Sequence, residues 1–127
     1  MKIITIVVAA LLGLGAAAAN ANANANAADA DAGKRVFAKC AVCHSGAAGK
    51  NGLGPTLFGV MGRPSASVPG FNYSEGMKAA NKTWDEATLD VYLTNPKAMV
   101  PGTKMTFSGL PAADDRANVI AYLATLK

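Results

Sequence analysis

Both cysteines of this 127-residue chain and its one histidine fall within five consecutive residues, Cys40-Ala41-Val42-Cys43-His44. That concentration limits what the segment can hold, and so what the chain around it can fold into. A thioredoxin-type C-x-x-C pair follows a strand and opens a helix of a βαβ unit. Here the preceding stretch from Asp31 to Lys39 reads as a helix, acidic at its start and with Val36 and Phe37 on one face. A structural zinc ion needs four ligands, normally Cys or His, and the chain has three such residues. A carboxylate could complete the set, but three ligands from one short segment would crowd a tetrahedron. A Cys40–Cys43 disulfide would close a very small ring and leave His44 incidental.

The chemistry that uses all three residues is covalent haem attachment. C-x-x-C-H is the c-type attachment sequence. Two thiols bond the two vinyl groups on one porphyrin edge. Positions i, i+3 and i+4 share a helical face, so the imidazole that follows comes under the iron.

The N-terminus agrees with attachment outside the cytoplasm. Met1-Lys2 is a short basic head, Ile3 to Ala19 is an uncharged, mostly apolar run, and "NANANANAADADAG" follows as low-complexity sequence. This is the pattern of a secretory signal peptide, with A-x-A sites in several registers between residues 19 and 27. The alternative is an uncleaved anchor at the short limit for spanning a bilayer. Residues 1–27 are therefore expected to be signal and spacer, and 28–127 one small domain exported to the periplasm. The formal net charge is +4, one less without Lys2, with no block of like charges. Such a balance is too weak to imply nucleic acid, and no nucleic-acid partner is expected, but it can support docking on an acidic protein surface.

Four segments carry helical signals, and an all-α fold of four to five short helices is expected. They are 31–39; 74–81, with Asn72 and Glu75 as a capping box; the run opened by a Thr83–Glu86 box with Leu89, Tyr92 and Leu93 on one face; and 111–127. No stretch after the signal alternates as a strand would. Between His44 and Tyr73 the chain has seven glycines and three prolines interspersed with Leu53, Leu57, Phe58, Val60, Met61 and Phe71. A loop this long is implausible in a small domain unless something other than protein organises it. Those apolar side chains need a surface, and a large apolar cofactor would supply one.

With no second histidine, a further iron ligand would be a methionine sulfur. Met61, Met77, Met99 and Met105 are the candidates. Packing on apolar surface accounts for Met61 and Met77. Met105 follows Pro101-Gly102, a pair suited to a tight turn, and is favoured over Met99, which remains open on this reasoning.

The motifs CAVCH, "GLGPTLFGVMGR", "PGFNYS", "TW", "YLTNPK" and "PGTKMTF" occur in that order at compatible spacing. From about Ala32 to Lys127 the chain resembles the class I c-type cytochromes, the family of mitochondrial cytochrome c and its short bacterial relatives. The resemblance implies one haem c per chain, Cys40 and Cys43 as thioether donors, and His44 and Met105 as axial ligands. It also implies that the Pro55 carbonyl accepts from the His44 ring, and that the Tyr92 hydroxyl lies near the Met105 sulfur. Arg63, Tyr73, Trp84 and Thr103 would lie at or beside the haem propionates. Gly33 and Phe37, with Tyr122 and Leu123, resemble a crossing of the terminal helices. The chain departs from mitochondrial proteins in a His-to-Gly-Pro interval one residue shorter and in Met77, where asparagine is common.

The implied activity is one-electron transport between redox proteins, without catalysis of bond rearrangement. Lys39, Lys97 and Lys104 would form a positive rim that steers a monomeric carrier to acidic sites on an oxidase, reductase or photosynthetic complex. The membrane would be involved only through an uncleaved leader. A haem-based sensor or weak peroxidase with the methionine displaced is the alternative.

Overall fold

In the computed structural model of the protein, residues 27–127 are described. The expected signal segment lies outside them apart from Ala27. Five helices appear in the order α1 (Ala30–Phe37), α2 (Glu75–Ala80), α3 (Glu86–Thr94), α4 (Pro96–Met99) and α5 (Ala113–Leu123). No strand is present among the described residues; an isolated antiparallel bridge joins Pro64 to Thr83.

Local chemistry sets the helix ends, and in two places it differs from the sequence reading. Asp29 caps α1, its carboxylate accepting from the Asp31 and Ala32 N–H groups at 2.8 and 3.2 Å. At α2 the cap is Ser74, accepting from Met77 N–H at 3.1 Å, and not Asn72. At α3 it is Asp85, accepting from Thr88 N–H at 2.7 Å, and not Thr83. In both cases a side-chain acceptor closer to the helix reaches the open N–H groups of the first turn. Helix α5 is shorter at both ends than its periodic pattern. After α3, Asn95 turns the chain and accepts from Ala98 N–H at 3.3 Å, while Pro96 starts the single turn of α4.

The two terminal helices cross at Gly33. A Cβ there would collide with the Asn118 carbonyl of α5 and come within 2.9 Å of the Tyr122 Cβ. The absence of a side chain lets the backbones touch. Phe37 and Tyr122 pack at a tilt beside the crossing with ring centroids 5.0 Å apart, and Asn118 accepts from Asp29 N–H at 2.8 Å. The expected crossing of the terminal helices is present.

Under it lies a core of Leu89, Tyr92 and Leu93 from α3, Val119, Ile120 and Leu123 from α5, and Val60, Trp84, Val100 and Leu110 from the connections. Val100 and Leu110 are essentially inaccessible, and burial of each stabilises the fold by roughly 2 kcal/mol. Arg116 of α5 secures one side, with Nε donating to Asp90 Oδ1 of α3 at 2.7 Å and Nη1 to the Leu110 and Pro111 carbonyls at 2.9 and 3.0 Å.

The glycine-rich segment is organised more by protein than its composition suggests. Gly62 N–H donates to the Trp84 carbonyl at 2.8 Å and Trp84 N–H to the Arg63 carbonyl at 2.9 Å. Ser65 and Lys82 are joined twice, through Ser65 N–H and through Ser65 Oγ. These bonds fold the loop back onto the stretch before α3 and satisfy backbone groups that burial would otherwise strand.

Candidate haem site

Helix α1 runs into the cysteines as a series of tight turns. Cys40 N–H donates to the Phe37 carbonyl at 2.8 Å, and Cys43 and His44 N–H both donate to the Cys40 carbonyl, at 3.0 and 2.9 Å. The turn keeps Cys40, Cys43 and His44 at helical spacing, each half-buried, with both thiols free. Burial pushes the Cys40 thiol up, against an opposing pull from Lys39.

The His44 ring is fixed on one side. Its Nδ1 lies 2.7 Å from the Pro55 carbonyl oxygen. A carbonyl only accepts, so Nδ1 carries the proton and Nε2 keeps its lone pair. Gly54 lies against the same ring, and a Cβ there would come within 2.6 Å of Nδ1. The Gly-Pro pair thus combines room for the imidazole with an acceptor for its proton.

Thr56 anchors that loop from behind. It is 5% exposed. Its hydroxyl donates to the Ala47 carbonyl at 2.6 Å, its N–H donates to Asn51 Oδ1 at 2.9 Å, and its carbonyl accepts from Arg63 Nη2 at 3.0 Å. Sequence reading does not single out Asn51 or Thr56. Both are polar residues in a polar loop, and the one signal is their position on either side of Gly54-Pro55.

Arg63 also gives Nη1 to the Phe58 carbonyl at 3.0 Å. Burial pulls its guanidinium below the usual value. Its Nε is fully buried and has no hydrogen-bond partner. A buried, unpaired guanidinium N–H fits an anionic group such as a haem propionate, because leaving it unpaired is costly.

On the methionine side, Gly102 turns the chain with φ +72°, a conformation that suits glycine. Thr103 Oγ1 accepts from Met105 N–H at 3.2 Å. The Tyr92 hydroxyl donates to the Met105 sulfur at 3.9 Å. Burial pushes the Tyr92 hydroxyl up to about 12, partly offset by the Thr103 hydroxyl, so Tyr92 is a donor at neutral pH. Trp84 packs on Tyr92 with ring centroids 4.8 Å apart.

A connected path therefore runs from His44 through Pro55, Thr56, Arg63 and Trp84 to Tyr92 and Met105. Thr103 stands with Tyr92 and Met105. Tyr73 accepts from Val68 N–H at 3.0 Å and lies close enough to Arg63 to interact with its charge. Leu57, Met61, Met77, Met99, Met105 and Phe107 are half-buried apolar groups packed on the core. Lys39, Lys97 and Lys104 are exposed, and Lys104 Nζ also donates to the Asn72 carbonyl at 3.3 Å.

Two vicinal thiols, an oriented imidazole, a restrained thioether and an unpaired buried guanidinium, set in a small helical frame, define a c-type haem protein. The cytochrome c family model matches residues 30–127. Cytochrome c2 of Rhodomicrobium vannielii is 57% identical over 94 residues, covering 73% of this chain and 75% of that one. Cytochrome c2 of Rhodoblastus acidophilus is 53% identical over 97 residues, covering 76% and 91%. The solved structure of cytochrome cH from Methylobacterium extorquens superposes with a TM-score of 0.73 at 44% identity, covering 76% of this chain and 98% of that one. The chain belongs to the cytochrome c family. It is a mono-haem electron-transfer cytochrome that carries haem c covalently, and it is an electron carrier, not an enzyme.

Proposed function

We propose that the chain is an exported carrier in which Cys40 and Cys43 hold haem c as thioethers and His44 and Met105 are the axial ligands. The observation that carries this reading is the 2.7 Å contact between His44 Nδ1 and the Pro55 carbonyl. It fixes the tautomer, leaves the lone pair of Nε2 unused and raises the basicity of the ring, as partners of metal-bound histidines do.

Bound haem supplies a one-electron Fe(II)/Fe(III) couple. The chain's own residues set how that couple behaves. Met105 offers a soft thioether that favours the reduced state, and Tyr92 restrains it. Arg63, with its unpaired N–H and with Tyr73 and Trp84 beside it, would hold a propionate, and Thr103 would do so from beside Tyr92. Because both ligands are held before any electron moves, transfer requires little rearrangement.

The partners follow from charge. Lys39, Lys97 and Lys104 would meet acidic surfaces on redox proteins in a small, salt-sensitive interface of less than about 1,200 Å². No helix among the described residues is long and apolar enough to cross a membrane. Export to the periplasm would depend on residues 1–27, by cleavage or as a tether.

The test is an absorption spectrum of protein exported from a host with haem-attachment machinery, oxidised and then reduced. Sharp low-spin bands on reduction, with a weak red charge-transfer band from an iron–thioether bond when oxidised, are expected. A high-spin spectrum lacking that band would overturn Met105 ligation and favour the sensor or peroxidase reading. Absence of covalent haem would overturn the attachment assignment.

A further inference from the structure

The Pro55 carbonyl that accepts from His44 and the Thr56 N–H that donates to Asn51 belong to the same peptide group. The amide is engaged at both ends: His44 Nδ1 lies 2.7 Å from Pro55 O, and Thr56 N lies 2.9 Å from Asn51 Oδ1. An amide whose N–H is drawn toward an acceptor carries more negative charge on its oxygen, and hydrogen bonds in series polarise one another.

We infer that Asn51 is a positioning and tuning residue for His44, acting through the Pro55–Thr56 peptide group. Its carboxamide oxygen strengthens the carbonyl acceptor, which draws on the Nδ1 proton and makes the imidazole a stronger electron donor at Nε2. The reading rests on His44 being an iron ligand.

The surroundings favour such a relay. Thr56 is buried, and its hydroxyl and carbonyl have other partners in Ala47 and Arg63, so the peptide plane has little freedom to turn. Gly52 N–H donates to the Gly54 carbonyl at 2.9 Å, and Gly54 N–H donates to the Cys43 carbonyl at 2.8 Å. These bonds hold the chain between Asn51 and Pro55 in one shape and tie it to the attachment turn. Asn51 itself is exposed, so its side chain can change without opening the core.

A stronger imidazole donor stabilises Fe(III). Asn51→Ala removes the acceptor and should move the oxidised/reduced balance at a fixed applied potential toward the reduced form. Asn51→Asp supplies a stronger acceptor and should move it toward the oxidised form. Each shift is expected to be several-fold, smaller than the roughly 10–100-fold change in metal affinity or activity that follows loss of a partner touching a ligand directly.

Lys50→Gln is the control, since it makes the same change in net charge as Asn51→Asp at the adjacent exposed residue without touching the relay. The experiment is redox titration of the three holoproteins and wild type, with NMR of the His44 Nδ1 proton and thermal melting of each. Opposite shifts for the Ala and Asp variants, a smaller shift for the control and a displaced Nδ1 resonance in both Asn51 variants are expected. Shifts of the same sign, an unmoved Nδ1 resonance, or a control shift equal to that of Asn51→Asp would overturn the relay while leaving His44 ligation intact. Absence of iron-shifted His44 ring signals in wild type would overturn both.

Discussion

The Tyr92 hydroxyl, buried on α3, donates to the sulfur of Met105, 13 residues further along the chain. With Met105 as the proposed iron ligand, a donor on its thioether would draw electron density from the sulfur and weaken its donation to Fe(III), so the contact should raise the reduction potential. Removing it with Tyr92→Phe should lower the potential by roughly 40 mV, the one-electron equivalent of one hydrogen bond worth about 1 kcal/mol. Redox titration of the holoprotein decides it, and an unchanged or raised potential would count against the contact.

Gly33→Val tests the helix crossing. The new side chain would sit where the Asn118 backbone now lies, and α1 would have to lift from α5. Overpacking of this kind costs about 1–3 kcal/mol, occasionally more, or roughly 5–20 °C in melting temperature for a domain this size. A melting temperature equal to wild type would show that the backbones are not in contact.

Arg116 and Asp90 should respond unequally to truncation. The Arg116 side chain is 12% exposed and that of Asp90 49%. Arg116→Ala strands two loop carbonyls as well as the carboxylate, a loss of about 2 kcal/mol or more. Asp90→Ala removes one largely solvated partner and should cost less than about 1 kcal/mol. Denaturant unfolding of both variants gives the order, and a larger loss for Asp90→Ala would refute the clamp.

The Asp85 cap should make stability depend on pH. Its carboxyl lies below the usual value because it accepts hydrogen bonds from Thr88, chiefly from the backbone N–H. A group depressed in the folded state contributes its full stability above its unfolded value and loses it as pH falls through the folded one. Asn is an equally good cap without the charge. The stability of wild type relative to Asp85→Asn should therefore decline as pH falls from neutral to below about 4. A constant difference across that range would exclude the linkage.

Charge reversal at Lys97 should slow reduction of an anionic oxidant such as ferricyanide at low salt. Near 0.01 M ionic strength, where the screening length is about 30 Å, a drop of several-fold is expected. Near 1 M, where it is about 3 Å, the drop should vanish. Stopped-flow rates at the two ionic strengths are sufficient, and a salt-independent effect would point to damage at α4 instead of lost steering.

What the sequence determined by itself was local. Cys40, Cys43 and His44 lie within one helical turn, so their joint chemistry is readable from spacing. The periodic stretches behind α1, α3 and α5 were equally legible, because each helix needs an apolar face every three or four residues. Met105 as the proposed second ligand took more: the chain has no second histidine, the Pro101-Gly102 turn favoured Met105 over Met99, and the resemblance strengthened that choice.

Tertiary structure decided what joins distant residues. Ser74 and Asp85 displaced the expected caps because backbone geometry, not residue type, determines which acceptor reaches an open N–H. Arg116 reaches Asp90 across 26 positions, and no periodicity encodes that pairing. Asn51 and Thr56 look like any polar loop residues until folding places the peptide group between them and His44. Spacing along the chain shows which residues share a turn, and resemblance pointed to the Pro55 carbonyl, but only the folded packing shows what holds that carbonyl from behind.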